Sequence, residues 1–345
     1  MKASLLLRAD ASAAIGTGHV MRGLALAQAW QDAGGQVTLA CAEIPDALAA
    51  RLNRERVTLR QIDGVVASGA DAAATVALAR GCGASWVVVD GYRFTPAFLD
   101  VVRSSGLRVL AVDDMAHLDR YPVDLVLNQN LSARRDLYRN KLARDTELLL
   151  GPRYSLLRRE FRSAGAAARA PLVDRARRVL VTFGGSDPDN HTGRVLQRLA
   201  ALPGRWEVCV LAGAANVHVS ALREHAARAS FPCEVRVNVE NVAELMAWAD
   251  VAITAGGSTV WELAAMRLPA LIGAISEDQR AIGPALRRIG SFRAWTIESL
   301  LERDLAIEMD HVLAAPRDFG GLDAVGAPRV VEQLVNHHSF CEAAP

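Results

Sequence analysis

The segment Arg8-Ala-Asp-Ala-Ser-Ala-Ala-Ile-Gly-Thr-Gly-His19-Val-Met-Arg22 brings a histidine, two spaced glycines and several charges together. It follows the apolar run Ser4–Leu7 and precedes an amphipathic helical pattern, so a strand, a turn and a helix start converge on His19. Gly16 and Gly18 let backbone approach a ligand closely, since neither has a Cβ and both have access to positive φ. A helix start adds bare N–H groups and a partial positive charge. That end suits an anion and favours the uncharged imidazole, the form that can take a proton from water. Gly16-x-Gly18 lacks the third glycine of a dinucleotide fingerprint, and no Gly-Lys-Ser/Thr follows it, so neither the dinucleotide nor the P-loop motif is matched. The plainer account is a turn shaped by two glycines, with His19 capping a helix.

The second half of the chain supplies two further glycine turns. An apolar strand at Val179–Phe183 runs into Gly184-Gly185-Ser186-Asp187-Pro188. The carboxyl end of a parallel strand is where such sheets bind ligands. Asp187 and Pro188 also read as the N-cap and first residue of a helix. Asp187-Pro-Asp189 has the form D-x-D, which can hold a metal, but capping explains it more simply and no metal is expected. Further on, a short helix over Asn241–Asp250 leads to strand Val251–Thr254 and then Gly256-Gly257-Ser258-Thr259. Gly256 and Gly257 can admit a pyrophosphate, with Ser258 and Thr259 donating hydroxyls. Glu262 can accept both hydroxyls of a ribose. Thr259-x-x-Glu262 is equally a capping box. Two glycine turns on separate strands, each opening a helix, tip the reading toward a nucleotide diphosphate.

These turns need sheets to carry them. Short apolar runs alternate with helical patterns along the chain, which predicts a parallel α/β architecture. Strands are predicted at Ser4–Arg8, Gln36–Ala40, Trp86–Val89, Val109–Val112 and Leu125–Leu127. A second series falls at Val179–Phe183, Glu207–Leu211, Glu234–Val239, Val251–Thr254 and Ala270–Ile275. A helix over His19–Trp30 places Val20, Leu24 and Ala27 on one face, and a last helix covers Pro328–Asn336. The small-residue stretch Ser163-Ala-Gly-Ala-Ala-Ala-Arg-Ala-Pro171 breaks the pattern. The expected division is an N-terminal domain over 1–162 carrying the histidine, a linker over 163–178, and a C-terminal domain over 179–345 that includes the terminal helix. Both domains are Rossmann-like and doubly wound, and are expected to face each other across a cleft, the preferred place for a ligand.

Composition narrows the class. The chain has 345 residues, 51% hydrophobic and 22% charged, with a formal net charge of +1. That balance fits a globular enzyme and gives no electrostatic case for nucleic acid. Cys41, Cys82, Cys209, Cys233 and Cys341 stand far apart without Cys-x-x-Cys spacing, so neither a zinc site nor a disulfide framework is expected. The start of the chain lacks a signal-peptide pattern and no apolar run is long enough for a membrane span. A cytoplasmic location, no membrane association and no obligate protein partner are expected.

Several motifs recur in a recognisable order: Arg8-x-Asp10, Ile15-Gly-x-Gly18-His19-x-x-Arg22, Val89-Asp90-x-Tyr92, Asp113-Asp114, Leu127-Asn128-x-Asn130, Tyr154-x-Leu-x-Arg158-x-Glu160-Phe161 and Phe183-Gly-Gly-x-Asp187. The set resembles the PseG family, the UDP-2,4-diacetamido-2,4,6-trideoxy-β-L-altropyranose hydrolases of pseudaminic acid biosynthesis, over residues 4 to 290 or so. The resemblance implies a GT-B fold like that of MurG-type transferases, with UDP held by the C-terminal domain. It implies that water displaces UDP from the anomeric carbon, with no cofactor. His19 falls at the family's catalytic base position. Gly184, Gly185, Ser186, Gly256, Gly257, Ser258, Thr259 and Glu262 are expected at the nucleotide. Tyr92, Asn128, Tyr154 and Arg158 are expected to face the sugar, and Arg8, Asp10, Gly18 and Arg22 to line the substrate beside His19. Gly256-Gly257 departs toward the MurG pattern, which keeps a GT-B glycosyltransferase open as an alternative. A non-catalytic nucleotide-sugar binding subunit is a third reading. The hydrolytic chemistry needs no paired carboxylates, because UDP leaves well without protonation of a sugar oxygen.

Overall fold

The computed structural model describes residues 3–12, 14–164, 177–316, 318–319 and 322–339. The apolar runs become strands of two parallel sheets, and the central ones are covered on both faces. The first sheet contains β1 (Ser4–Ala9), β2 (Gln36–Cys41), β3 (Thr58–Gln61), β4 (Ala84–Asp90), β5 (Arg108–Val112), β6 (Leu125–Asn128) and β7 (Glu147–Leu150). Its order is β3-β2-β1-β4-β5-β6-β7. The second contains β8 (Arg177–Thr182), β9 (Trp206–Ala212), β10 (Cys233–Val237), β11 (Val251–Ala255), β12 (Ala270–Ala274) and β13 (Phe292–Thr296), in the order β10-β9-β8-β11-β12-β13. Both are doubly wound. Strand order reverses between β1 and β4 in one sheet and between β8 and β11 in the other, and ligands bind such sheets beyond the strand ends at that reversal.

The chain divides into two compact units. The first holds residues up to Ser12, His19–Arg159 and the chain from Val325 onward. The second holds the short segment ending at Gly18 and Glu160–Ala324. Most of the predicted linker, residues 165–176, lies outside the described residues. Its described ends are the close of the helix Arg159–Ala164 and the start of β8.

The terminal helix corrects the predicted division. It spans Gly326–Ser339 and groups with the first unit, where Trp86 Nε1 donates to the Leu334 carbonyl at 3.0 Å. Ala327, Val330 and Leu334 share one core with Leu5, Leu7 and Leu24. A β-carbon on Gly326 would lie 2.3 Å from the Ser155 carbonyl oxygen, so only glycine allows that entry. The sequence shows that this helix has an apolar stripe; it does not show which sheet covers it.

Strands β3, β7 and β13 were not predicted, and each is the last strand at an edge of its sheet. Thr58–Gln61 is mostly exposed, and β13 alternates buried and partly exposed positions, so neither forms an apolar run. The helix Gly18–Asp32 buries the predicted Val20, Leu24 and Ala27, and goes further: burial is continuous from Arg22 to Trp30. The segment after Tyr154 closes over it, with the Arg159 N–H donating to Gln28 Oε1 at 2.7 Å. No helix among the described residues is long and apolar enough to cross a membrane.

Candidate functional site

In the first unit, His19 sits in the first turn of the helix that follows β1 in the chain. Asp90 is the last residue of β4, level with Ala9 of β1. The two strands flanking the reversal therefore deliver an imidazole and a carboxylate to the same place. His19 Nδ1 lies 2.7 Å from Asp90 Oδ1. A lone pair on that nitrogen would repel the carboxylate, so the network places a proton on Nδ1 and leaves Nε2 as the acceptor.

Arg22, one helical turn later, fixes the carboxylate. Its Nε donates to Asp90 Oδ2 at 2.5 Å, and its Nη2 to Asp90 Oδ1 at 2.6 Å. The Nη2–Nδ1 separation of 3.2 Å is then two donors sharing one carboxylate oxygen. Arg22 Nη1 reaches both oxygens of Asp114 at 2.9 Å, and Tyr92 Oη donates to Asp114 at 2.9 Å. Burial alone would push the Asp90 carboxyl up, but Arg22 and His19 outweigh it and hold it down at about 2. The same carboxylates hold the Arg22 guanidinium well above its ordinary value despite its burial. Tyr92 stands edge-on to the His19 ring at 5.1 Å between centroids, and is itself exposed.

Several residues expected to line the substrate are buried and bonded to other side chains. Arg8 has no exposed surface; its Nε and Nη2 grip Asp71 at 3.0 and 2.8 Å, and its Nη1 grips Asp10 at 2.8 Å. Asp10 also accepts the Ala42 N–H, tying β1 to the chain after β2. Asn128 donates to Tyr138 Oη and accepts the Asn130 N–H, which engages both ends of its amide. Arg22 turns all three of its guanidinium nitrogens to Asp90 and Asp114, so it positions rather than binds. Arg158 is buried, and Tyr154 rests against the first unit's core under the Arg153 guanidinium. Gly18 is exposed at the helix start, and Gly16 takes positive φ, as the turn requires.

In the sequence Asp90, Asp113 and Asp114 stand only as parts of a motif, without a legible role. The available signal was a charge ending a buried apolar strand at Asp90. His117 was missed as well. It lies four residues after Asp113, with Nδ1 3.1 Å from Asp113 Oδ1.

In the second unit, Gly184-Gly185 and Gly256-Gly257 follow β8 and β11, the two strands at the reversal. Gly184 takes φ +91, and a β-carbon on Gly185 would lie 2.6 Å from Thr17 Oγ1 of the same unit. Gly213, after β9, backs directly onto this turn: a β-carbon there would lie 2.2 Å from the Gly185 carbonyl oxygen. Gly213→Ala is therefore expected to displace the Gly184-Gly185 turn and destabilise the second unit by about 1–3 kcal/mol. Urea unfolding checks this, and an unchanged midpoint would refute the close approach.

Asp187 is not the N-cap predicted for it. The helix starts later, at His191, with Asn190 capping, and Asp187 accepts the His191 and Thr192 N–H groups at 2.9 Å each. That commits the Asp187 carboxylate to backbone donors. Ser186 follows Gly185 in the same turn. Ser258, one residue before the Thr259 expected to cap, stands at the N-cap of Thr259–Ala265, and its side chain makes no cap bond. Glu262 is half-buried in that helix. Gln279, not predicted, stabilises the turn by accepting the Gly256 and Ile275 N–H groups at 3.0 and 3.1 Å.

No family model matches the chain. An uncharacterized protein of Methanocaldococcus jannaschii is 25% identical over 201 residues, 56% of this chain and 41% of its own length, so the chain spans less than half of that relative. A UDP-2,4-diacetamido-2,4,6-trideoxy-beta-L-altropyranose hydrolase of Campylobacter jejuni is 24% identical over 259 residues, 75% of this chain and 86% of that one. A UDP-N-acetylglucosamine--N-acetylmuramyl-(pentapeptide) pyrophosphoryl-undecaprenol N-acetylglucosamine transferase of Bordetella pertussis is 31% identical over 272 residues, 74% of this chain and 73% of that one. Among solved structures, Acinetobacter baumannii MurG covers 97% of this chain and 99% of its own, with TM-score 0.62 and 18% identity. The S. aureus MnaA–UDP co-structure covers 100% and 99%, with TM-score 0.65 and 12% identity. The fold is thus GT-B, and the chain belongs to the MurG-like family of UDP-sugar-utilising GT-B proteins.

Proposed function

We propose that this protein hydrolyses a UDP-linked 2,4-diacetamido-2,4,6-trideoxyhexose to UDP and the free sugar, a step toward a nonulosonate such as pseudaminic acid. The observation that carries the reading is the 2.7 Å contact between His19 Nδ1 and Asp90 Oδ1, which presents Nε2 as a proton acceptor. In the reaction, a water oxygen attacks the anomeric carbon while the bond from that carbon to the phosphate oxygen breaks. UDP departs with the bonding pair, and His19 Nε2 takes the water's proton. Asp90 stabilises the imidazolium so formed, and Arg22 keeps the carboxylate in place. The Gly184-Gly185-Ser186 and Gly256-Gly257-Ser258-Thr259 turns hold the diphosphate through N–H and hydroxyl donors, absorbing the charge that grows on it. Glu262 accepts the ribose hydroxyls. Tyr92 meets the sugar.

A second reading has an observation of its own. The Bordetella pertussis relative at 31% identity is a transferase, and the same base could deprotonate an acceptor hydroxyl instead of water. Incubation with the UDP-diacetamido sugar in ¹⁸O water and no acceptor separates the two. Rapid UDP release with the label on the free sugar is the expected result. No release without an acceptor would favour transfer, and label on UDP would mean that a P–O bond breaks and would overturn the mechanism.

A further inference from the structure

The His19–Asp90 pair has a near copy one strand further along the first sheet. Asp113, just past β5, is buried and holds His117 Nδ1 at 3.1 Å. Asp113 is as firmly fixed as Asp90. Its Oδ2 accepts from Tyr138 Oη at 2.7 Å, Tyr121 Oη at 3.0 Å and the Ala116 N–H at 2.8 Å, and its Oδ1 accepts the Met115 N–H at 3.3 Å. Burial pushes that carboxyl up, but the donors around it win and keep it below its ordinary value. A carboxylate so placed draws the His117 proton to Nδ1 and leaves Nε2 as an acceptor, as at His19.

The two imidazoles share a neighbour. Tyr92 stands perpendicular to His19 at 5.1 Å and to His117 at 5.8 Å. Its ring is exposed, and its hydroxyl is committed to Asp114. Tyr92 therefore offers its apolar ring more than its hydroxyl, and each histidine supplies a polar atom beside it. A hexose is an apolar face edged with hydroxyl and amide groups, which is the pattern this row complements. His117 is half-buried, with 27% of its side chain exposed, and Nδ1 is the ring nitrogen that Asp113 engages.

Resting on the functional reading above, we infer that His117 is a substrate-binding residue that sets selectivity for the sugar. Its Nε2 accepts a hydrogen bond from an acetamido N–H of a sugar lying against Tyr92. His19 performs the chemistry; His117 recognises the substituent.

Calorimetry with the intact chain tests this without turnover. UDP, UDP-N-acetylglucosamine and the UDP-diacetamido sugar are titrated into a His19→Asn parent, which consumes no ligand, and into the same parent carrying His117→Ala or His117→Gln. His117→Ala is expected to weaken both acetamido sugars about 5–20-fold, the scale of one lost hydrogen bond, while UDP stays within twofold. His117→Gln, whose amide oxygen can accept the same bond, is expected to recover part of the loss. The inference is overturned if His117→Ala binds the sugars as the parent does, if UDP weakens in parallel, or if the parent binds acetamido sugars no better than UDP. Because only binding is read, a wild type that fails to hydrolyse would sink the proposed reaction without deciding this assignment.

Discussion

His19→Asn is expected to lower turnover of the UDP-diacetamido sugar by about 10³-fold or more while UDP affinity changes less than twofold. The side chain chosen separates two roles of the imidazole. An asparagine amide N–H can replace Nδ1–H as donor to Asp90, so the Arg22–Asp90–Asp114 network keeps its partners. It has no counterpart to Nε2. What is lost is the proton acceptor alone, and general-base catalysis contributes about 10²–10⁴-fold. His19→Ala should match it in rate and fall slightly below it in stability, since Asp90 then loses one donor. Initial rates with product detection, together with calorimetry for UDP, give both quantities. Turnover retained in either variant would remove His19 from the mechanism.

How much of this was legible in the sequence depends on whether a residue's partner is local. The strands β1, β4, β8 and β11 could be read because both faces of each are buried, which leaves an unbroken apolar run. The glycine turns after β1, β8 and β11 could be read from spacing alone. Residues whose role depends on a distant partner could not. Arg8 looks like a ligand contact until Asp71, sixty-odd positions away, is seen to take two of its nitrogens. Asn128 has the right type and place for a sugar contact, and is instead consumed by Tyr138 and a backbone N–H. In the opposite sense, Asp90 carries the orientation of His19 from a separate strand, so no spacing within the glycine turn could disclose it. Asp187 shows a finer limit: the sequence disclosed a capping carboxylate but not that the helix begins at His191, because a residue at positive φ, Asn190, intervenes.

Asp90→Asn should cost both rate and stability, and the stability part should fade in acid. Catalysis falls because an amide can offer its N–H rather than an acceptor to Nδ1, so the imidazole loses both its fixed tautomer and the charge that stabilises imidazolium; about 10²–10⁴-fold is the scale for such a change. Stability falls because Arg22 is buried and keeps only Asp114 as a charged partner. Removing one member of a buried pair costs about 3–5 kcal/mol, and the surviving Asp114 contact argues for the lower end. The acid dependence follows from the sign of the shift. The Asp90 carboxyl lies at about 2 in the folded chain against an ordinary value of 3.8. A depressed carboxyl adds stability that is present in full above its unfolded value and is lost as pH falls through the folded one. The wild type should therefore give up on the order of 2 kcal/mol between about pH 5 and pH 2 that Asp90→Asn never had. Hydrogen exchange of the helix Gly18–Asp32, which carries both His19 and Arg22, reads this locally without requiring the two units to unfold together. The gap in protection between wild type and variant should narrow steadily across that pH range. A gap of constant width would mean that the carboxylate is not what holds Arg22 and His19 in register.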